Sequence, residues 1–217
     1  MRNATVFFLV IPFILLLVYR KKLGRTTLVF TLAMATMSCV NIISVIARWT
    51  DFNYDTTYLF VIGVNFLSFL LFLIYFYLLL KLEWIKKTQL LLIAVFVSVF
   101  ILMGIIQGKN FFLKFPSYFY LIETLILLVS ITLFFYETFN SDIILNIKDY
   151  FPFWVCLSLI IIYVGLLPLL FFLQSVNYSL SLNVYVIILF FINLIGYGIL
   201  SYGIFRSKKV SNMYYDI

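Results

Sequence analysis

The sequence predicts an all-α integral membrane protein: a bundle of seven transmembrane helices with the N-terminus outside and the C-terminus cytoplasmic. Three observations carry this. First, 65% of the 217 residues are apolar and 11% are charged, whereas globular chains run near 45–50% apolar and about 25% charged. A water-soluble domain of this size could not bury so much apolar surface, which excludes a soluble enzyme, a nucleic-acid-binding domain and a disordered tail. Second, seven apolar runs approach the roughly 20 residues that a helix needs to cross the hydrocarbon core. Third, Lys and Arg are distributed unevenly between alternate loops, the bias that orients membrane proteins.

The runs are Ala4–Tyr19, Thr26–Ala47, Thr57–Leu80, Thr88–Gln107, Ser117–Tyr136, Phe151–Leu173 and Asn183–Phe205. None shows the alternation of a membrane barrel strand, and backbone groups in lipid must bond within their own segment, so each reads as a helix. The first run is the shortest and carries Pro12. A cleaved secretory signal is its rival reading, but Arg2 is the only charge before it and Arg20-Lys21-Lys22 stands where a cleavage site would lie. The run is taken as a retained span. In the second, Thr27, Thr31, Ser38 and Asn41 share a face, as small polar residues do where helices pack closely or where a ligand binds. The third places Tyr58, Asn65, Ser68 and Tyr75 within a sector of about 100°. The sixth opens on Pro152, which suits a first helical turn, and holds Pro168, where a kink is expected. In the seventh, Asn193, Gly196 and Gly203 share a side, with Tyr197 and Tyr202 nearby. Its glycines imply a close neighbour or a bend, and Asn193 is either interhelical glue or pocket lining.

Eleven basic residues, Arg20, Lys21, Lys22, Arg25, Lys81, Lys86, Lys87, Lys148, Arg206, Lys208 and Lys209, fall on one side. Four, Arg2, Arg48, Lys109 and Lys114, fall on the other. The larger set is cytoplasmic by the positive-inside rule. The net charge of +7 therefore reads as an orientation signal and not as a phosphate-binding surface. Tyr19, Trp49, Tyr54, Tyr58, Trp84, Tyr118, Tyr150, Trp154, Tyr178 and Tyr214 lie near span ends as an interfacial belt. The longest external loop is Arg48–Thr56, with Asp51, Asn53 and Asp55. The longest internal one, Glu137–Tyr150, holds Asn140-Ser141-Asp142 as a helix cap, followed by Ile143, Ile144, Ile147 and Phe151 at helical spacing, and is expected to lie along the inner surface. Residues 1–217 form one domain, and no soluble domain is expected at either end.

The chain contains no His. Zinc hydrolases and Ser-His-Asp chemistry would need it. The last span has no Lys for a retinal Schiff base, and no glycine-rich loop cradles phosphate. Cys39 and Cys156 fall inside spans and read as buried, inert thiols. No cofactor and no metal are expected.

The informative residues are the polar ones at membrane depth. Glu123 stands six residues past Ser117, about 9 Å into the fifth span at helical rise. An ionised carboxylate there costs a few kcal/mol on insertion scales. Tyr120, Glu123, Ser130 and Glu137 lie within a sector of about 100°, so the carboxyl faces inward. It is either a ligand or proton site open to the outside, or a carboxyl bonded to a Tyr or Asn on the next helix. The candidate polar pocket is Glu123, Asn65, Asn193, Tyr120, Asn41 and Ser68.

Ile122-Glu123-Thr124 with Leu133-Phe134-Phe135-Tyr136-Glu137 resembles the fifth span of uncharacterised seven-helix inner-membrane proteins of Bacteroidetes-type bacteria. Phe151-Pro152-Phe153-Trp154 with Tyr163-Val164-Gly165 is similar to their sixth span, and Asn193-Leu194-Ile195-Gly196-Tyr197-Gly198 closing on Arg206-Ser207-Lys208-Lys209 is similar to their last. The second half of the chain carries the resemblance best. Where many such proteins carry an acidic residue in the third span, this chain has Asn65. The resemblance implies a small protein of the cytoplasmic (inner) membrane, often encoded near histidine kinases.

Two functions are open. One is a non-enzymatic sensor or interaction partner of a membrane signalling system, with the bilayer and a membrane or cytoplasmic signalling protein as its partners and no nucleic acid. The other is a small-solute transporter or channel, although the first and last three spans show no convincing internal repeat. A membrane enzyme comes third.

Overall fold

The computed structural model describes residues 4–50, 56–113, 116–174 and 182–208. The described residues are helical, with no strand among them. In chain order the helices are α1 (Ala4–Val18), α2 (Arg20–Leu23), α3 (Thr27–Trp49), α4 (Thr57–Leu79), α5 (Glu83–Gln107), α6 (Lys109–Leu113), α7 (Ser117–Phe139), α8 (Phe151–Gln174) and α9 (Leu182–Arg206). A 3-10 segment, Asp142–Asp149, links α7 to α8.

Six of these helices, α3, α4, α5, α7, α8 and α9, are long and apolar enough to cross a membrane. The chain is thus a multi-pass membrane protein by the length and composition of its helices. Helix α1 has 15 residues, about 22 Å at helical rise, less than the roughly 30 Å hydrocarbon core. Helix α5 begins at Glu83, a turn before the expected Thr88, so Lys86 and Lys87 lie on helix and not in a loop. Glu83 sits in its first turn, where a negative charge complements the helix dipole. Gly108, at φ +55°, ends α5 in the left-handed region that glycine tolerates.

The chain divides into two compact units. Residues 1–25 with 142–217 form one, and residues 26–141 form the other.

In the first unit α8 and α9 pack side by side in opposite directions, joined through glycines. Gly165 on α8 faces Ile192, Gly196 on α9 faces Ile162, and Gly203 on α9 faces the Cβ of Trp154. The partners run in opposite order along the two helices, as an antiparallel pair requires. The glycines of the last span therefore mark the close approach expected of them. Helix α1 lies against α9, with Phe8 on Phe190 (ring centroids 5.1 Å apart) and Tyr19 on Phe205 (5.5 Å).

In the second unit α4 is central, packed against α3, α5 and α7. Between Val61 and Ser68 it widens into a π-helix, a form found mostly as short bulges within α-helices, often at functional sites. The Ser68 hydroxyl donates to the Gly63 carbonyl five residues back (2.8 Å) and is bonded to Thr36 on α3.

Two local expectations are corrected. Cys39 is exposed, on the outward side of α3; only Cys156 is buried. Asn140 and Ser141 do not cap a following helix. The Asn140 side chain donates back to the Tyr136 carbonyl (2.7 Å) and the Ser141 hydroxyl to that of Thr138 (2.8 Å). They close the end of α7, because side-chain bonds to nearby backbone compete with starting a new helix.

Candidate functional site

Glu123 lies on α7 among residues of high apolar content, on the buried stripe that also carries Phe119, Leu127, Ser130 and Phe134. It is 1% exposed, and neither carboxyl oxygen has a hydrogen-bond partner among the described residues. At 100° per residue its direction falls between Phe119, about 40° away, and Phe134, about 20° away. Phe119 meets Phe96 of α5 (5.7 Å) and Phe134 meets Phe76 of α4 (6.2 Å). The carboxyl is therefore directed at the α4–α5 side of α7 and not at lipid.

Asn65 lies within the π segment of α4, 3% exposed, with its Nδ2 unpartnered. Its depth follows from register. Helices α4 and α7 run in the same direction: Phe76 meets Phe134, and further along both chains the Glu137 carboxylate accepts the backbone N–H groups of Lys81 (2.7 Å) and Leu82 (3.2 Å). Eleven residues back from Phe76 is Asn65, and eleven back from Phe134 is Glu123. The two stand at nearly one depth, about 16 Å from the Phe76–Phe134 contact at helical rise. Neither satisfies the other, since both keep unpartnered atoms. A buried polar group left in that state costs about 1–3 kcal/mol.

Phe rings gather at the same end of this unit. Phe96 contacts Phe66 (5.9 Å), Phe69 (4.8 Å) and Phe119, and Phe100 contacts Phe66 (4.3 Å), Phe111 (5.3 Å) and Phe119 (5.5 Å). They cover the turn of α7 just before Glu123.

The other expected pocket residues behave differently. Tyr120 is buried one turn before Glu123, and its carbonyl accepts the Thr124 hydroxyl (2.9 Å). Ser68 is buried and bonded to Gly63 and Thr36. Asn41 donates within its own helix to Met37 (2.8 Å), and Asn193 does the same to Leu189 (2.7 Å). Asn193 belongs to the first unit, whereas the other five belong to the second. The second unit thus brings Glu123, Asn65 and Tyr120 to one level, with Asn65 and Glu123 alone of the six left with unpartnered polar atoms. Asp51, Asn53 and Asp55 of the expected external loop, and Tyr54, Tyr178 and Tyr214 of the belt, lie outside the described residues.

Two polar features went unforeseen. Gln89 is fully buried on α5, where its Nε2 donates to the Leu73 carbonyl of α4 (3.1 Å). A span beginning at Thr88 would leave this residue at its end, whereas the helix begins at Glu83 and carries it inward. In the first unit, Asp149 is buried and paired with Lys208 (2.6 Å) and Arg206 (3.4 Å). The hydrogen bond from Lys208, and then the charges of Lys208 and Arg206, hold its carboxyl below the ordinary range. Nearby, the Lys22 ammonium donates to the last carbonyls of α9, Ile204 (3.1 Å) and Phe205 (2.9 Å), where a cation suits the helix terminus. These pairings join residues far apart in the chain, so no local spacing announced them. Among the described residues no group of three or more His, Cys, Asp or Glu is placed to hold a metal.

No protein family, no curated protein and no solved structure matches this chain.

Proposed function

We propose that this chain is a non-enzymatic sensor or interaction partner in a membrane signalling system. It has seven spans in the cytoplasmic membrane, with α1 as the first, the N-terminus outside and the C-terminus in the cytoplasm. The observation that carries the sensing role is Glu123, a carboxyl buried at membrane depth with both oxygens unpartnered. Intramembrane ionisable groups are expensive and mark functional sites by default. Its neighbour in depth, Asn65, sits in a π-helical turn, so occupancy of this level is coupled to the winding of the central helix α4. Orientation is supported by Lys22, Lys148, Arg206 and Lys208, which gather at one end of the first unit through Ile204, Trp154 and Asp149. The same basic end is suited to anionic lipid or an acidic partner surface.

The test is affinity purification of the full chain from its native membrane after cross-linking, beside Glu123→Gln. A reproducible membrane or cytoplasmic signalling protein, recovered in altered yield with the variant, is the expected result. No reproducible partner would overturn the reading. Glu123-dependent solute uptake into proteoliposomes would replace it with transport.

A further inference from the structure

Resting on that reading of the Glu123 level, we infer that Glu123 and Asn65 are the two ends of one buried site for a small organic ammonium compound that also carries an oxygen acceptor. Glu123 offers two acceptor oxygens with no donor among the described residues, and it forms no ion pair there. Among the described side chains of this unit the basic ones are Lys81, Lys86, Lys87 and Lys109, all near its helix ends. A buried carboxylate needs a paired charge, and no described side chain supplies one to Glu123, which leaves that place to a ligand. Asn65 Nδ2 is the complementary feature: a buried donor at the same depth as Glu123, with no hydrogen-bond partner among the described residues.

The surroundings choose between kinds of cation. Hard metal ions take six or more oxygen ligands. One carboxyl, one carboxamide and a few hydroxyls such as that of Ser38 supply too few, and phenylalanine rings line the turn beside them. An ammonium group asks for little more than the carboxylate. Its N–H groups bond to Glu123, its carbon skeleton rests on apolar surface, and aromatic faces attract it. Phe119 lies one turn from Glu123 on the same stripe, and Phe66 is next to Asn65 in the chain. A hydroxyl or carbonyl on the compound accepts from Asn65 Nδ2. The π turn that holds Asn65 is the element such a ligand would set.

The experiment measures thermal unfolding of the purified full chain in lipid nanodiscs. The probes are ethanolamine and a series of primary amines from methylamine to butylamine. Ethylene glycol and potassium chloride at matched ionic strength are the controls. At least one amine is expected to raise the midpoint saturably while the controls do not. Glu123→Gln should weaken that amine at least tenfold. Asn65→Leu should weaken ethanolamine about fivefold and butylamine little, because only ethanolamine offers an oxygen to Nδ2. A second readout needs no variant: labelling of Glu123 by dicyclohexylcarbodiimide, read by mass spectrometry, should fall when the stabilising amine is present. Equal stabilisation by potassium chloride, an amine effect unchanged in Glu123→Gln, or labelling that no amine suppresses would overturn the ligand class. Failure of the ligand class alone leaves the partner purification unaffected, so the two readings fail separately.

Discussion

Helix α9 carries three glycines in distinct surroundings, and they give a graded prediction. A Cβ built at Gly203 falls 2.3 Å from the Cβ of Trp154 and 2.5 Å from its Cγ. Those atoms cannot yield. They adjoin the α8 backbone, and the indole is held by its Nε1–H donating to the Lys148 carbonyl (2.8 Å) and by the ring of Tyr202 (5.0 Å). Gly203→Ala must push α8 and α9 apart, an overpacking cost of about 1–3 kcal/mol. At Gly196 the obstacle is Ile162 Cγ1 at 2.5 Å and its Cδ1 at 3.0 Å. That side chain can change rotamer, so Gly196→Ala should cost under about 1 kcal/mol. Gly198 has nothing within 4 Å, and Gly198→Ala should stay within about 0.5 kcal/mol of the parent, as surface substitutions do. Reversible unfolding in mixed micelles, followed by Trp fluorescence, reads all three. Equal effects at Gly203 and Gly198, or the order reversed, would refute the packing that defines the first unit.

Three more predictions concern the polar ends of the helices. Glu137→Ala should cost about 1–2 kcal/mol, because its carboxylate accepts two backbone N–H groups ahead of α5 and charged acceptors are worth more than neutral ones. Glu137→Gln should cost about half as much in the same assay. Asp149, whose folded value is depressed, adds stability above the ordinary carboxylate range near 4, and that stability is lost as pH falls through the folded value. Asp149→Asn should cost about 1 kcal/mol or less at pH 7, since Arg206 and Lys208 are half or more exposed. Its deficit against the parent should shrink toward zero on acidification to about pH 2, and a deficit that grows would contradict the assignment. Reporter fusions after Arg25 and at Asn53 should read cytoplasmic and external, and the opposite pattern would invert the orientation.

What could be read beforehand follows from physics. The long helices were legible because the bilayer demands an uninterrupted apolar length, and α4, α7, α8 and α9 end within about three residues of the expected limits. Helix α5 was cut short because Lys86 and Lys87 look like loop residues on a hydropathy criterion, although a helix end with Glu83 in its first turn accepts them. The π turn carries no such signature: Asn65 and Ser68 were placed on an ideal 100° wheel, and only the Ser68–Gly63 bond reveals the wider turn. Glu123 stood out as a carboxyl within an apolar run. Its level with Asn65 was hidden, since it depends on which residues of α4 and α7 meet, and Phe76–Phe134 is one contact among many rings. The Asp149 clasp was hidden for the same reason, as its partners are nearly 60 residues away.

The central claim is that Glu123 is a polar group kept at membrane depth for something that binds it, and not for the stability of the fold. Replacing it with a hydrophobe of similar size separates these. With no partner among the described residues, Glu123→Leu removes an unsatisfied buried group. Unliganded, the variant should unfold about 1–3 kcal/mol harder than the parent. A loss of stability of that size would mean that the carboxyl is held by the fold itself, and the account of the site would fail.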